Sequence, residues 1–176
     1  MPTIFTIGHS TRTIDQFLAL LKAHGIEKLV DIRTIPKSEH NPQFNQEEMR
    51  TSLEKACICY EHLKALGGLR HAKKDSKNLG WENLSFRGFA DYMQTEEFSK
   101  GLERLETIAQ KKTTVIMCAE AVPWRCHRSL VADALVKKKW RVLHIQSKKT
   151  ASPHKLTPFL KMQRGQLTYP KSASHA

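Results

Sequence analysis

The chain has 176 residues, 40% of them hydrophobic, and carries a formal net charge of +12. This length and apolar content suit a single domain with a buried core, and no apolar stretch is long enough to span a bilayer. The four cysteines are expected to be reduced, because a domain of this size needs no disulfides and the N-terminus does not resemble a secretion signal. We therefore expect a cytoplasmic protein that does not associate with membranes.

The N-terminal part of the chain has the pattern of a strand, a helix and a second strand. Residues 3–7 are β-rich, and Thr13 with Gln16 forms a capping box that begins a helix, which Gly25 ends. Residues 28–32 make up the next apolar run. This order predicts a βαβ unit with parallel strands and a right-handed crossover.

The middle of the chain predicts a helix, a short strand and a long loop. Asn45 can cap a helix that contains Met49 and Leu53, and residues 57–63 alternate weakly, as a short strand does. Residues 69–84 are polar and without a clear period. A loop of that length in a compact domain often has a function.

The second half of the chain continues the alternation of helices and strands. In chain order we predict a helix capped by Ser85, a helix capped by Thr95, a strand over 114–118, a helix from about Cys126 to Lys139 and a strand over 141–145. A hairpin around Arg164-Gly165 and a disordered end over 172–176 follow. The pattern predicts a Rossmann-like, three-layer α/β fold with a mainly parallel sheet. We expect one α/β domain over 1–150 and a basic C-terminal extension over 151–176.

The positive charge is concentrated near the C-terminus. The last acidic residue is Asp133, and ten Lys or Arg residues follow it. Such a segment either neutralises the phosphates of RNA, DNA or a nucleotide, or forms an ordinary solvated surface. The sequence leaves both interpretations open, and it leaves the oligomeric state open as well.

Polar side chains follow three of the predicted strands at their carboxyl ends. The carboxyl ends of parallel strands share one edge of the sheet, where ligands bind in open α/β folds, so we expect these side chains to converge. The candidate catalytic residues are His9, Asp31, Cys118, Glu120 and His127. The candidate anion-binding residues are Ser10, Arg33, Arg125 and Arg128.

Each candidate also has a simpler structural interpretation. His127, in the predicted first turn of a helix, can transfer protons, and the N–H groups of that turn favour an anion. Cys118 is either a small buried hydrophobic residue or a nucleophile whose thiolate is stabilised by nearby cations. Asp31 and Arg33 can equally well pair with each other. His144, in an apolar strand, is expected to be a core histidine with satisfied hydrogen bonds.

Neither a metal ion nor an organic cofactor is predicted. A zinc site can be drawn from Cys118, Cys126 and His127, but their spacing matches no standard zinc motif. The chain has no P-loop, and Gly8 does not belong to a G-x-G-x-x-G fingerprint, so neither ATP nor NAD is indicated.

Several motifs in a fixed order resemble one known family. They include Thr6-Ile7-Gly8-His9-Ser10, Val30-Asp31-Ile32-Arg33, Asn41-Pro42-Gln43-Phe44, Leu66-Gly67-Gly68, Ser85-Phe86-Arg87-Gly88-Phe89, Met117-Cys118-Ala119-Glu120 and Cys126-His127-Arg128. Over almost its whole length the chain is similar to domain-of-unknown-function family 488. The resemblance implies a Rossmann-like α/β fold and a cytoplasmic protein of bacterial type, and it implies no reaction. Members of that family usually carry a basic residue where this chain has Glu39, which would weaken anion binding if it faced the site.

Three functional hypotheses follow. The first is an enzyme that acts on a phosphate-bearing substrate, a nucleotide or nucleic acid, with the candidate arginines holding the anion. The second is a non-catalytic nucleic-acid-binding module that uses the basic C-terminal third. The third is sulfur transfer or redox chemistry at Cys118. Asp31-Ile32-Arg33, together with a cysteine before a helix, also resembles rhodanese-type sulfurtransferases, although the loop after Cys118 is longer than in that family.

Overall fold

The computed structural model describes residues 1–171. The strands are β1 (Thr3–Gly8), β2 (Lys28–Asp31), β3 (Cys59–His62), β4 (Thr114–Cys118), β5 (Arg141–Ile145), β6 (Ala151–Pro153), β7 (Lys161–Gln163) and β8 (Gln166–Thr168). The α-helices are α1 (Ile14–Ala23), α2 (Gln46–Lys55), α3 (Leu84–Tyr92), α4 (Glu96–Lys111) and α5 (Arg128–Lys137). A 3-10 turn over Pro123–Arg125 precedes α5.

The main sheet has the strand order β3-β2-β4-β1-β5-β6. Neighbours among β1 to β5 are parallel, and β6 pairs antiparallel with β5 at the edge. The chain crosses the sheet in one direction from β1 to β3 and returns through β4 to β5. Because crossovers between parallel strands are right-handed, this reversal puts α1 and α2 on one face and α3 to α5 on the other. The predicted three-layer α/β fold with a mainly parallel sheet is confirmed.

Buried side chains of the central strand β4 alternate between two cores. Ile116 and Cys118 belong to the core formed with α3, α4 and α5, whereas Val115 and Met117 belong to the core formed with α1 and α2. Successive side chains of a strand point to opposite faces, so a strand covered on both faces is apolar throughout. Cys118 is therefore the last side chain of β4 on the α5 side.

Local capping signals fix the starts of two helices. The capping box of α1 is confirmed, since Thr13 Oγ1 accepts a hydrogen bond from Gln16 N and Gln16 Oε1 accepts one from Thr13 N, both at 3.1 Å. The prediction that Ser85 caps the next helix is wrong. Asn83 is the cap of α3, and its Oδ1 accepts from Ser85 N and Phe86 N at 2.8 and 3.2 Å. The carboxamide of Asn83 binds the N–H groups that the first turn leaves free.

Two elements are shorter than predicted. The strand predicted over 57–63 covers Cys59–His62. The helix predicted from about Cys126 to Lys139 covers Arg128–Lys137. Cys126 has extended backbone angles between the 3-10 turn and the helix, and Lys139 has a φ of 72°, which a right-handed helix excludes.

The segment after residue 150 packs on the α/β sheet. Its first residues form β6, which no pattern in the sequence predicts, and the hairpin predicted around Arg164-Gly165 is formed by β7 and β8. Tyr169 is fully buried in the core on the α5 side. Residues 172–176, for which disorder is predicted, lie outside the described residues.

Candidate active site

The three segments that were expected to converge lie side by side at the centre of the sheet, because β4 lies between β1 and β2. His9 N donates to Cys118 O and Ser10 N donates to Ala119 O, both at 2.9 Å. On the other side of β4, Ile32 N donates to Met117 O at 3.0 Å. The ladder thus continues past the strand ends and holds the three loops together.

A pocket of about 460 Å³ opens above these strand ends. We call it the Cys118 pocket. The chemically active groups that line it are Arg33, Lys37, Cys118, Glu120, Arg125, Cys126 and His127. The lining therefore carries three cationic side chains, one carboxylate and two thiols. Glu39, whose charge would oppose an anion, is not part of the lining.

Four predicted site residues lie beside or beneath the pocket and do not line it. They are His9, Ser10, Asp31 and Arg128. Ser10 is half-buried and has a φ of 52°, which turns the chain sharply after β1. The other three are buried and contact residues that do line the pocket or its loop.

Asp31 fixes the orientation of Arg33. Its carboxylate accepts from Arg33 Nε at 3.0 Å and from Arg33 Nη2 at 2.8 Å, a two-point contact that permits one guanidinium plane. Tyr60 Oη also donates to Asp31, at 2.7 Å. Asp31 contacts no histidine side chain within hydrogen-bond distance among residues 1–171. It therefore holds the arginine at the pocket wall instead of orienting an imidazole.

His9 supports the same arginine from behind. Its ring stacks on Phe44 with centroids 4.4 Å apart, and its Nδ1 donates to Ser10 O at 2.8 Å. Burial lowers the pKa of His9, although the Ser10 contact opposes the shift. The ring is consequently neutral, and Nε2 can accept the long contact of 3.5 Å from Arg33 Nη1.

His127 is held between the β2 loop and Cys126. Its Nε2 donates to Ile32 O at 2.9 Å, which leaves Nδ1 as the acceptor facing Cys126 Sγ at 3.4 Å. Burial lowers the pKa of His127 to about 4, so the ring is neutral near pH 7. A Cβ at Gly68 would lie 2.5 Å from His127 Nδ1, so the loop at Gly68 can lie against the ring only without a side chain.

The two pocket thiols, Cys118 and Cys126, lie close enough to shift each other's pKa. Burial raises the pKa of Cys118, but the neighbouring Cys126 thiol and the positive charge of Arg128 bring the pKa below its ordinary value. The neighbouring Cys118 and burial raise the pKa of Cys126. Cys118 is therefore the thiol of the pair that ionises more readily.

Arg128 holds the loop that follows β4. It is almost fully buried, and its Nη2 donates to the carbonyls of Glu120 and Ala121 at 3.1 and 3.2 Å. The loop is so close to β1 that a Cβ at Gly8 would lie 1.8 Å from Glu120 O. At the start of α5, Ser129 N is already bonded to Cys126 O. Arg128 therefore acts on the pocket through the loop and through its charge.

A chain of hydrogen bonds that sequence reasoning missed runs from Arg128 to Asp133. Arg128 Nη1 donates to Thr6 Oγ1 at 3.2 Å, and Thr6 Oγ1 donates to His144 Nδ1 at 2.5 Å. His144 Nε2 then donates to His154 Nδ1, and His154 Nε2 donates to Asp133 Oδ1, both at 2.8 Å. The prediction that His144 is a satisfied core histidine is confirmed. The sequence contained one signal of this chain of hydrogen bonds. Each of two otherwise apolar elements carries a polar residue, Thr6 in β1 and Asp133 in α5.

Two kinds of structural feature are absent from residues 1–171. No helix there is both long and apolar enough to cross a membrane. No three or more His, Cys, Asp or Glu side chains are grouped there so that they could hold a metal ion. Cys57 and Cys59 lie at the amino end of β3, away from Cys118 at the carboxyl end of β4.

A comparison with family models assigns the chain to a family. The model described as domain of unknown function DUF488 matches residues 13–135. The chain belongs to the DUF488 family. The DUF488 match contains Arg33 and every other residue that lines the Cys118 pocket, and it ends before β5, so His144 and His154 lie beyond it. Searches of curated proteins and of solved structures found no match.

Proposed function

We propose that this DUF488 protein is an enzyme that hydrolyses a phosphate-bearing substrate in the Cys118 pocket, with Cys118 as the nucleophile. One observation carries the proposal: a thiol whose environment favours the thiolate lies in a pocket with Arg33, Lys37 and Arg125. A thiolate is the nucleophilic form of cysteine, and fixed cations stabilise the charge of a transferring phosphoryl group.

The cationic groups differ in burial, which suits binding followed by reaction. Arg33 is buried and held rigidly by Asp31, so it offers a preorganised contact. Lys37 and Arg125 are exposed and can close on a bound anion. Glu120, also exposed, is the single carboxylate of the lining. The net charge of these four groups is positive, as a phosphate requires.

The proposed reaction has two steps. The Cys118 thiolate forms an S–P bond as the P–O bond to the leaving group breaks, and the leaving oxygen takes a proton from water, which becomes hydroxide. Hydroxide then forms a P–O bond as the S–P bond breaks, which restores the thiolate and releases inorganic phosphate. The overall reaction consumes one phosphate ester and one water and produces one alcohol and one phosphate.

The test is hydrolysis of p-nitrophenyl phosphate and of nucleoside monophosphates. The variant Cys118→Ser should lose at least about 10³-fold in kcat, because a serine hydroxyl is not ionised at this site. Arg125→Gln should raise KM, since it removes a binding contact that the exposed side chain makes. Cys57→Ser, an exposed thiol away from the pocket, is the matched control and should retain the wild-type rate. Full activity in Cys118→Ser would refute the proposal.

The contact between Cys126 and Cys118 favours a second candidate function, thiol redox chemistry. A peroxide can oxidise the two thiols to one disulfide, with both thiol protons and the peroxide oxygens leaving as water. We expect peroxide to lower the mass of the Cys57→Ser protein by two hydrogens, and to do so in neither Cys118→Ser nor Cys126→Ser when each is made in the same Cys57→Ser background. Alkylation of Cys118 should show a midpoint below the ordinary pKa of about 8.5. A midpoint at or above that value, with no disulfide, would remove this candidate.

A further inference from the structure

A second cavity, of about 840 Å³, lies on the other side of the 3-10 turn from the Cys118 pocket. We call it the Trp124 cavity. Its apolar lining is formed mainly by Trp81, Pro123, Trp124, Pro153, Pro158 and Phe159. Trp124 is 71% exposed, although tryptophan is normally highly buried. An exposed aromatic ring at the mouth of an apolar cavity indicates a binding surface.

The two histidines in this cavity have all their ring nitrogens occupied by hydrogen bonds within the protein. His144 and His154 line it, and each uses both ring nitrogens in the hydrogen-bond chain that ends at Asp133. Burial lowers the pKa of His144 to about 3, so this ring stays neutral near pH 7. The two rings therefore present carbon edges and faces to a ligand. They shape the cavity.

The polar groups open to a ligand lie at the rim. Gln146 and Lys155 line the cavity and are exposed, and Ser152 lines it half-buried. A carboxamide offers one acceptor and two donors in a plane, and it can pair with a ring that carries both kinds of group on one edge. An aromatic wall with a carboxamide at its edge fits a planar heterocycle better than an aliphatic chain.

The 3-10 turn connects this cavity with the Cys118 pocket. A 3-10 helix has three residues per turn, so neighbouring side chains point about 120° apart. Trp124 lines one cavity and Arg125, the next residue, lines the other. Their Cα atoms are about 3.8 Å apart, which is short relative to a nucleotide. An aromatic subsite and a cationic subsite therefore flank one short turn.

We propose that the Trp124 cavity binds the base of a nucleotide whose phosphate lies in the Cys118 pocket. The inference rests on the proposed function for the phosphate, and it adds the substrate class. The base stacks on Trp124 and hydrogen-bonds to Gln146, and the turn Pro123–Arg125 lies between the base and the phosphate.

The test is calorimetric titration of the full chain with adenosine, uridine, their 5′-monophosphates, ribose and inorganic phosphate. The nucleosides should bind and ribose should not. Trp124→Ala should weaken nucleoside binding by about tenfold or more, as expected for loss of a base–aromatic stack. Leu84→Ala is the matched control, because Leu84 is 65% exposed and lines neither cavity, and it should leave the affinity unchanged.

The ligand set separates the two proposals. If inorganic phosphate binds and Arg125→Gln weakens it, while no nucleoside binds, the base site is refuted and the phosphate site stands. If nucleosides bind in a Trp124-dependent way but the 5′-phosphate adds no affinity, the base site stands and the proposed phosphate chemistry is refuted. A 5′-phosphorylated trinucleotide that binds more tightly than the monophosphates would assign the site to the end of a nucleic-acid strand, and equal affinity would assign it to free nucleotides.

Discussion

Asp133→Ala is expected to lower the free energy of unfolding by about 3–5 kcal/mol, the usual cost of removing one partner from a buried charged network. The Asp133 carboxylate is fully buried and accepts four hydrogen bonds. The donors are His154 Nε2, Thr157 N, Thr157 Oγ1 and Tyr169 Oη. All three donor residues belong to the segment after residue 150, so the variant leaves several buried donors unpaired at once.

The measurement is chemical unfolding, with limited trypsin digestion as a second readout. Asp133, in α5, accepts hydrogen bonds from three residues of the C-terminal segment. Because Asp133→Ala removes these bonds, cleavage after Lys155 and Lys161 should become faster in this variant. Asp15→Ala, an exposed acid in the first turn of α1, is the control and should cost no more than about 1 kcal/mol. Equal losses in the two variants would show that the network contributes no stability.

Acid is expected to destabilise the fold between about pH 6.5 and pH 4. The pKa of His127 lies at about 4 and that of His144 at about 3, both because burial disfavours the charged ring. As the pH falls below 6.5, the unfolded chain therefore binds protons that the folded chain does not, and the free energy of unfolding decreases. For His127 alone the loss down to pH 4 is on the order of 3 kcal/mol, and His144 adds to it. Above pH 6.5 neither group contributes.

NMR titration of the histidine ring protons gives the direct check, with a midpoint near pH 4 for His127. In unfolding experiments, His127→Gln should show a smaller decrease in stability between pH 6.5 and pH 4 than the wild type. His40→Gln, an exposed histidine, should show the wild-type decrease. A His127 midpoint near 6.5, or equal slopes in the two variants, would contradict the burial argument.

The Asp31–Arg33 pair connects the stability of the fold with the geometry of the site. Arg33 is held by a fully buried carboxylate, and the orientation of its guanidinium costs nothing further when an anion binds. The same arrangement makes the pair a poor target for a functional test, because removing either partner leaves a buried charge without its ion-pair partner and destabilises the fold. Arg125 is the better target, since its side chain is exposed.

Local patterns in the sequence predict most of the fold. These patterns depend only on neighbours within a few residues. They are the capping box of α1, the apolar runs of β1, β2, β4 and β5, and the order of strands and helices. The placement of polar residues at strand ends follows from the same patterns, because parallel strands present their carboxyl ends at one edge. That is why Arg33 and Cys118 could be expected near each other from their positions alone.

Tertiary structure decided the rest. The insertion of β4 between β1 and β2 brings His9 against Cys118 on one side and Ile32 against Met117 on the other, and it places His9 beside Arg33. The hydrogen-bond chain from Arg128 to Asp133 connects residues more than a hundred positions apart, such as Thr6 and His144. The sequence by itself determined which residue types stand at the ends of the strands, through short-range hydrophobic periodicity. Their partners depend on long-range strand order, which has no local signature in the chain.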